Sequence, residues 1–126
     1  TEQMADIIAQ ALKDRAEVTS FTAGEFTPDA VEQFDAIAFG CPAMGDEVLE
    51  ESDFEPMFAS CEGKLSGKRI ALFGSYGWGD GAWMRSWEER CVADGAVFAC
   101  DSVICNDAPD DLAKSSLEAL AAALCG

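Results

Sequence analysis

The most informative absence in this sequence is histidine, which occurs at none of the 126 positions. Without histidine the chain cannot form the Ser-His or Cys-His pairs of many hydrolases, and the common zinc sites with imidazole ligands are excluded. Six cysteines are present, but none forms a C-x-x-C pair. Several lie in or beside apolar segments, where reduced cysteine behaves as a small hydrophobic side chain. We therefore expect thiols in a reducing cytosol and no metal site.

Basic residues are scarce: there are 8 Lys and Arg against 24 Asp and Glu, a formal net charge of −16. Such a chain repels nucleic acid and anionic membrane surfaces and attracts basic protein surfaces. The segment from Asp46 to Glu62 carries seven acids and no base, which is typical of a solvated helix face. No apolar run approaches the roughly 20 residues of a membrane-spanning helix, and no signal segment opens the chain. We expect a cytoplasmic monomer.

What the sequence does contain is an alternation of helical and apolar segments. The spacing of apolar residues predicts four helices and one short helical turn, at 1–15, 53–62, 81–94, 109–124 and 26–34. β-Prone or continuously apolar stretches predict strands at 17–23, 35–41, 68–74 and 96–100, the last with a continuation over 102–105 left open. This alternation predicts a single α/β domain over 1–126, with a doubly wound parallel sheet and helices on both faces.

Two loops at the carboxyl edge of the predicted sheet carry the chemical interest, because ligands of such sheets bind outside the carboxyl ends of the strands. One loop reads CPAMGDE (41–47) and the other SYGWGDG (75–81). An aromatic side chain on a glycine-rich loop offers a flat face to a planar heterocycle, and Trp78 is the clearest case. Trp83 begins the next predicted helix, so a core position suits it equally well.

Together the two loops resemble those of a known family. The stretches GCPAMGDEVLEESDFEPMF (40–58) and LFGSYGWGDGAWMRSWEER (72–90) resemble the short-chain flavodoxins of anaerobic bacteria, and the resemblance continues in register from Thr1 to the final helix. It implies a flavodoxin-like sheet of order 2-1-3-4-5 that binds FMN non-covalently. It also implies a low-potential one-electron carrier rather than an enzyme, shuttling between semiquinone and hydroquinone and passing electrons between redox enzymes with basic docking surfaces.

The resemblance also implies a role for individual residues. Met44 is expected on the inner face of the isoalloxazine and Trp78 on its outer face. Gly45 is expected to flip its peptide on reduction, so that its carbonyl accepts a hydrogen bond from N5–H of the semiquinone, while Glu47 accepts from flavin N3–H. The full set of expected cofactor-binding residues is Thr1, Ala43, Met44, Gly45, Asp46, Glu47, Ser75, Tyr76, Gly77, Trp78 and Gly79.

The sequence departs from the family at its start. Flavodoxins begin with the hydrophobic central strand of the sheet and a loop that wraps the FMN phosphate, and only Thr1 matches that phosphate site here. We expect that the segment belongs to the polypeptide but not to this sequence. The alternatives are that another segment fills its slot or that the chain is a fragment that holds FMN poorly.

Two other functions stay open beside the electron carrier. The chain could be the flavin domain or a fragment of a larger reductase. It could also be a non-redox, receiver-like signalling domain of the same topology. Such a receiver requires a phosphorylatable aspartate at the end of the middle strand, where this sequence has Cys41 and Pro42.

Overall fold

The computed structural model describes residues 2–13, 15–42, 49, 52–76, 81–106 and 109–125. Within these residues the helices are α1 (Glu2–Leu12), α2 (Pro28–Val31), α3 (Phe54–Cys61), α4 (Ala82–Ala93) and α5 (Asp111–Cys125). The strands are β1 (Ala36–Gly40), β2 (Arg69–Tyr76), β3 (Val97–Phe98) and β4 (Val103–Asn106). Short 3-10 turns occupy Ala23–Glu25 and Glu62–Lys64. The predicted helices are confirmed to within a few residues at each end.

The strands form one parallel sheet in which β2 is central. β1 pairs with β2 from Ala36, opposite Arg69, to Gly40, opposite Phe73. On the other side of β2, β3 pairs with its first residues and β4 with its last. β3 and β4 are therefore two parts of one interrupted edge, so the predicted strand at 96–100 does resume, at Val103.

Two hydrophobic cores lie on opposite faces of this sheet. α3 and α4 cover one face, where Phe58 meets Trp87 edge to face with ring centroids 5.7 Å apart. α1 and α5 cover the other face, with Met4 and Leu117 fully buried. Helices on both faces confirm the doubly wound arrangement. None of the helices in the described ranges combines the length and apolar character needed to cross a bilayer.

The predicted strand over 17–23 is wrong. Residues 17–22 run without a strand partner among the described residues, and the chain then enters the turn at Ala23–Glu25. Val18 and Phe21 are 39% and 42% exposed. β-Propensity alone does not make a strand, because the backbone N–H and C=O groups of a strand need a neighbouring strand to bond.

A groove of about 1360 Å³ lies between residues 17–22 and the outer edge of β1. Ile8 of α1 lines one face of the groove and Phe54 of α3 the other. Of the five residues of β1, only Phe39 is buried. Among the described residues the predicted cover of β1 is therefore incomplete, and its outer edge borders the groove.

Candidate functional site

β1, β2 and β4 end side by side at one edge of the sheet. The pairing of Gly40 with Phe73 places the segment after β1 next to the last residues of β2, and the N–H of Cys41 continues the ladder by donating to the Phe73 carbonyl at 3.1 Å. On the other side of β2, Asn106 lies opposite Tyr76. The segments 43–48 and 77–80 therefore follow adjacent strands, as the sequence analysis predicted for the two loops.

Ser75 and Tyr76 are the predicted cofactor-binding residues that fall in the described part of the chain. They are the last two residues of β2, and both are half-buried. The ring of Tyr76 packs on Trp83, with centroids 5.7 Å apart and planes tilted by 48°. The remaining predicted residues lie outside the described ranges, and their roles stay predictions: Thr1, Ala43, Met44, Gly45, Asp46, Glu47, Gly77, Trp78 and Gly79.

Trp83 is a core residue. It is 1% exposed, and its indole Nε1–H donates to the carbonyl oxygen of Cys41 at 3.2 Å. The sequence left a core position and a ligand-stacking position open, and the structure decides for the core. The hydrogen bond ties the start of α4 to the end of β1, which fixes two of the elements that border the candidate site.

Gly74 permits this close approach. A Cβ at position 74 would lie 2.2 Å from the carbonyl oxygen of Cys41 and 3.1 Å from the Trp83 ring. Any side chain there would push β1 away from β2 at the site. Sequence reasoning assigned no role to Gly74 or to the Cys41 carbonyl, although a glycine inside an apolar strand often marks a close backbone approach.

Gly81 precedes α4 with a φ of 88°, in the left-handed region that favours glycine. A Cβ there would lie 3.0 Å from Cδ1 of Ile104 in β4. This residue therefore sets the direction in which the chain enters α4 beside the carboxyl edge. Position 81 therefore requires glycine for two reasons: the positive φ, and the short distance that a Cβ would have to Ile104.

Part of the acidic segment has a structural role instead of a purely solvated one. Arg90 of α4 donates to both carboxylate oxygens of Glu55, at 2.7 and 2.6 Å, and to Glu62 at 2.6 Å. Its guanidinium carbon also lies 5.0 Å from the centroid of Phe58. This Arg90 cluster joins α3 to α4, so the expectation of a merely solvated face is wrong for these two acids.

Ionisation in the Arg90 cluster follows from its contacts. Hydrogen bonds from Arg90 hold the pKa of Glu62 below its usual value. Burial, together with a hydrogen bond and the charge of Glu62, raises the pKa of Asp94 to about 6. Glu62 and Asp94 lie at the carboxyl ends of α3 and α4, whereas the candidate site adjoins the amino end of α4. These shifts therefore concern stability and not the site.

The six cysteines all lie in the described residues, and none forms a disulfide there. Burial raises the pKa of the Cys91 thiol to about 12, and it also raises the pKa of Cys61 and Cys100. Thiols of this kind are poor nucleophiles and metal ligands at neutral pH. Within the described ranges, no cluster of three or more potential metal ligands occurs.

The described edge fits a flat aromatic cofactor. The Tyr76 ring is held by Trp83 at the end of β2, and the glycine at 74 keeps the ends of β1 and β2 close together. An arrangement of this kind binds and orients a ligand, and it requires no acid, base or nucleophile.

Comparison with known proteins decides the family. The family model described as Flavodoxin matches residues 1–119. The chain belongs to the flavodoxin family. The flavodoxin of Clostridium beijerinckii is 43% identical over 119 residues, which are 94% of this chain and 86% of that protein. The flavodoxin of Megasphaera elsdenii is 44% identical over 112 residues, 88% of this chain and 81% of the other.

Structural comparison agrees with the sequence match. The solution structure of two-electron reduced Megasphaera elsdenii flavodoxin has a TM-score of 0.86 to this flavodoxin at 43% identity, covering 97% of this chain and 90% of that one. Family membership confirms the predicted fold class, FMN as the cofactor and electron transfer as the function. It does not favour a reductase domain or a receiver domain.

Proposed function

We propose that this flavodoxin carries single electrons at low potential, on FMN bound non-covalently between segments 43–47 and 75–79. The observation that carries the proposal is the adjacency of the carboxyl ends of β1 and β2, where the Cys41 N–H donates to the Phe73 carbonyl. The indole of Trp83 also ties the end of β1 to α4 by donating to the Cys41 carbonyl. FMN supplies the redox chemistry when bound. The chain binds the ring, orients it and excludes water.

In this proposal Met44 and Trp78 cover the two faces of the flavin ring, and Ser75 and Tyr76 contact its edge. The described part of the site supports the role of Tyr76, since its packing on Trp83 limits the orientations of its ring. Because the Tyr76 side chain is already ordered before FMN binds, it loses little conformational entropy on binding. Gly45 changes its peptide orientation with the oxidation state of the cofactor, and Glu47 accepts from the ring imide.

The acidic composition sets the potential and the partners. Negative charge near a poorly solvated flavin ring opposes the gain of a further negative charge. The potential of the second one-electron reduction is therefore low, and the fully reduced cofactor is a strong reductant. The net charge of −16 also steers the carrier toward redox enzymes with basic docking surfaces, through a small and transient interface. We propose a cytoplasmic monomer that performs no catalysis of its own.

The test is a redox titration of the FMN-loaded protein and two glycine variants. Gly45→Val restricts the proposed peptide flip, so the separation between the two one-electron reduction potentials should change while oxidised FMN still binds. Gly24→Val is the matched control, because a Cβ at position 24 meets nothing within 4 Å. An unchanged separation in Gly45→Val, or an equal change in both variants, would count against the assigned flip.

A further inference from the structure

Trp83 lies where the ends of the two segments proposed to bind FMN come together. Segment 43–47 begins two residues after Cys41, and segment 75–79 leads through Gly81 into α4. Trp83 is the second residue of α4, so it follows closely on the end of the second segment. Its indole N–H donates to the carbonyl oxygen of Cys41 at 3.2 Å. One side chain therefore joins the end of one segment to the start of the other.

The Trp83 ring also contacts the start of the second segment. The ring of Tyr76, the last residue of β2, packs on it with centroids 5.7 Å apart. The indole lies so close to the backbone of β2 that a Cβ at Gly74 would come within 3.1 Å of it. Because Trp83 is 1% exposed, close packing on all sides holds its ring in one orientation.

Backbone pairing alone gives less support to the chain as it leaves β1. The N–H of Cys41 donates to the Phe73 carbonyl, but the next residue is Pro42, which has no N–H to donate. A backbone donor is thus lost just before segment 43–47. At this point the Trp83 indole supplies a side-chain donor, to the carbonyl of the peptide that joins Cys41 to Pro42. A side chain of α4 therefore helps to set the direction in which the segment begins.

We propose that Trp83 is a positioning residue for the cofactor, whose indole N–H fixes the spacing of the two FMN-binding segments. It acts through Cys41 and Tyr76 and sets both the affinity for FMN and the separation of the two reduction potentials. Segments that are already in place lose less entropy when the ligand binds. The one-electron-reduced form depends most on this spacing, because it requires the peptide rearrangement in segment 43–47. The inference rests on the proposed function, which places FMN between these segments.

Trp87, one turn further along α4, provides a matched control within the chain. Like Trp83, it is 1% exposed, and it packs edge to face on Phe54 and Phe58 with centroids 5.3 and 5.7 Å away. Its indole N–H, however, has no hydrogen-bond partner in the described part of the chain. Replacing either tryptophan by phenylalanine removes the same buried atoms, but a hydrogen bond is lost at position 83 alone.

The experiment compares the FMN-loaded parent with Trp83→Phe and Trp87→Phe by FMN titration and potentiometry. Trp83→Phe should weaken FMN affinity by about fivefold, as expected for one net hydrogen bond. The comproportionation constant of the bound FMN should also fall by about fivefold, which narrows the separation of the two potentials by about 40 mV. Trp87→Phe should stay within about twofold of the parent in both quantities. Equal changes in the two variants, or none in Trp83→Phe, would overturn the proposal.

An isosteric replacement tests the hydrogen bond without creating a cavity. β-(3-Benzothienyl)-alanine, in which sulfur replaces the indole N–H, is introduced at position 83 or at position 87. At position 83 it should lower FMN affinity by about threefold or more, and at position 87 it should leave the affinity unchanged. Parental affinity with the analogue at position 83 would show that ring volume alone matters, and it would overturn the proposal.

Hydrogen exchange gives a readout that does not depend on the flavin potentials. The amides of Cys41 and Ile37 both face β2, since they lie an even number of residues apart in one strand direction. In FMN-loaded Trp83→Phe the exchange rate of Cys41 relative to Ile37 should rise by about fivefold, and in Trp87→Phe it should not change. A constant ratio in Trp83→Phe would overturn the proposal. Uptake of FMN by the parent and by Trp87→Phe tests the proposed function separately.

Discussion

β1 and β2 have similar sequences and very different surroundings. The interior of β2 reads IALFG over Ile70–Gly74, and every one of these residues is buried. β1 reads AIAFG over Ala36–Gly40, and only Phe39 is buried. The difference follows from pairing, since β2 has strand neighbours on both sides, whereas β1 has one strand neighbour among the described residues. An apolar composition therefore indicates that a strand can be buried in the interior of the sheet. Whether its side chains are in fact buried depends on neighbours that are distant in sequence.

The comparison is tested most strongly by truncating one side chain in each strand. Leu72→Ala, at a fully buried position, should lower the free energy of unfolding by about 3 kcal/mol through lost burial and a residual cavity. Ile37→Ala lies on the same face of the sheet but is half-buried, so its cost should be about 1 kcal/mol. Urea denaturation measures both. Equal losses would show that β1 is as well covered as β2.

The two strand glycines give the next largest difference. Gly74→Ala forces a Cβ to within 2.2 Å of the Cys41 carbonyl, so β1 and β2 must separate, at a cost of about 2 kcal/mol. It should also weaken FMN binding. At Gly40 the added atom meets the end of the Phe73 ring, which borders the groove and can yield, so Gly40→Ala should cost about 1 kcal/mol. The reverse order would mean that the groove side of β1 is the rigid one.

Local sequence patterns predicted most of the helices and strands, because they reflect the secondary structure that the residues of a segment favour by themselves. The helix predicted at 81–94 forms as Ala82–Ala93, with a glycine in the left-handed region before it. The strand predicted at 17–23 is wrong because a strand needs a partner that is distant in sequence, which a local pattern does not report. For the same reason Trp83 stayed ambiguous, since its acceptor on Cys41 lies 42 residues away.

The Arg90 cluster shows that the pattern of charges in a sequence likewise does not reveal ion-pair partners that are distant in the chain. A run of acids without bases is typical of a solvated face, and the partner of Glu55 lies 35 residues further along the chain. At the candidate site, the sequence identified the loops through their glycines and aromatics. It could not identify Gly74 as the contact that lets β1 approach β2, because that function depends on the position of another strand.

The contribution of the Arg90 cluster, which joins the two helices on one face of the sheet, can be measured by comparing two ion pairs. Arg90→Met removes a bidentate hydrogen bond to Glu55 and a further hydrogen bond to Glu62. Because these groups are partly exposed, the free energy of unfolding should fall by only about 1 kcal/mol. Lys64→Met removes an exposed pair with Glu32 and should change stability by less than about 0.5 kcal/mol. Chemical denaturation compares the two variants. A larger effect at Lys64 would refute a special role for the Arg90 cluster.

The smallest effect concerns pH. The pKa of Asp94 is raised to about 6, so the folded protein bears an unfavourable charge above that pH. As pH falls through about 6 the folded state binds a proton before the unfolded state does, and the contribution of this group to stability rises. Glu62 acts in the opposite sense, since its lowered pKa makes its contribution fall in more acidic solution.

Asp94→Asn should therefore stabilise the protein slightly at pH 8, by about 0.5 kcal/mol or less. Near pH 5 the gain should be smaller, because Asp94 of the parent is then already protonated in the folded state. Urea midpoints at the two pH values measure the change. A gain that grows toward acid pH would contradict the assigned direction of the shift.

FMN binding at the carboxyl edge of the sheet is tested most directly by a titration of the isotope-labelled protein with FMN, followed by flavin fluorescence and by amide chemical shifts. We expect one FMN per chain, quenched fluorescence and shift changes concentrated at the carboxyl ends of the strands, at Cys41, Ser75, Tyr76 and Asn106. Amides at the opposite edge, such as those of Ala36, Arg69 and Val97, should change little. Shift changes centred on that opposite edge, or no saturable change at all, would contradict FMN binding at the carboxyl edge.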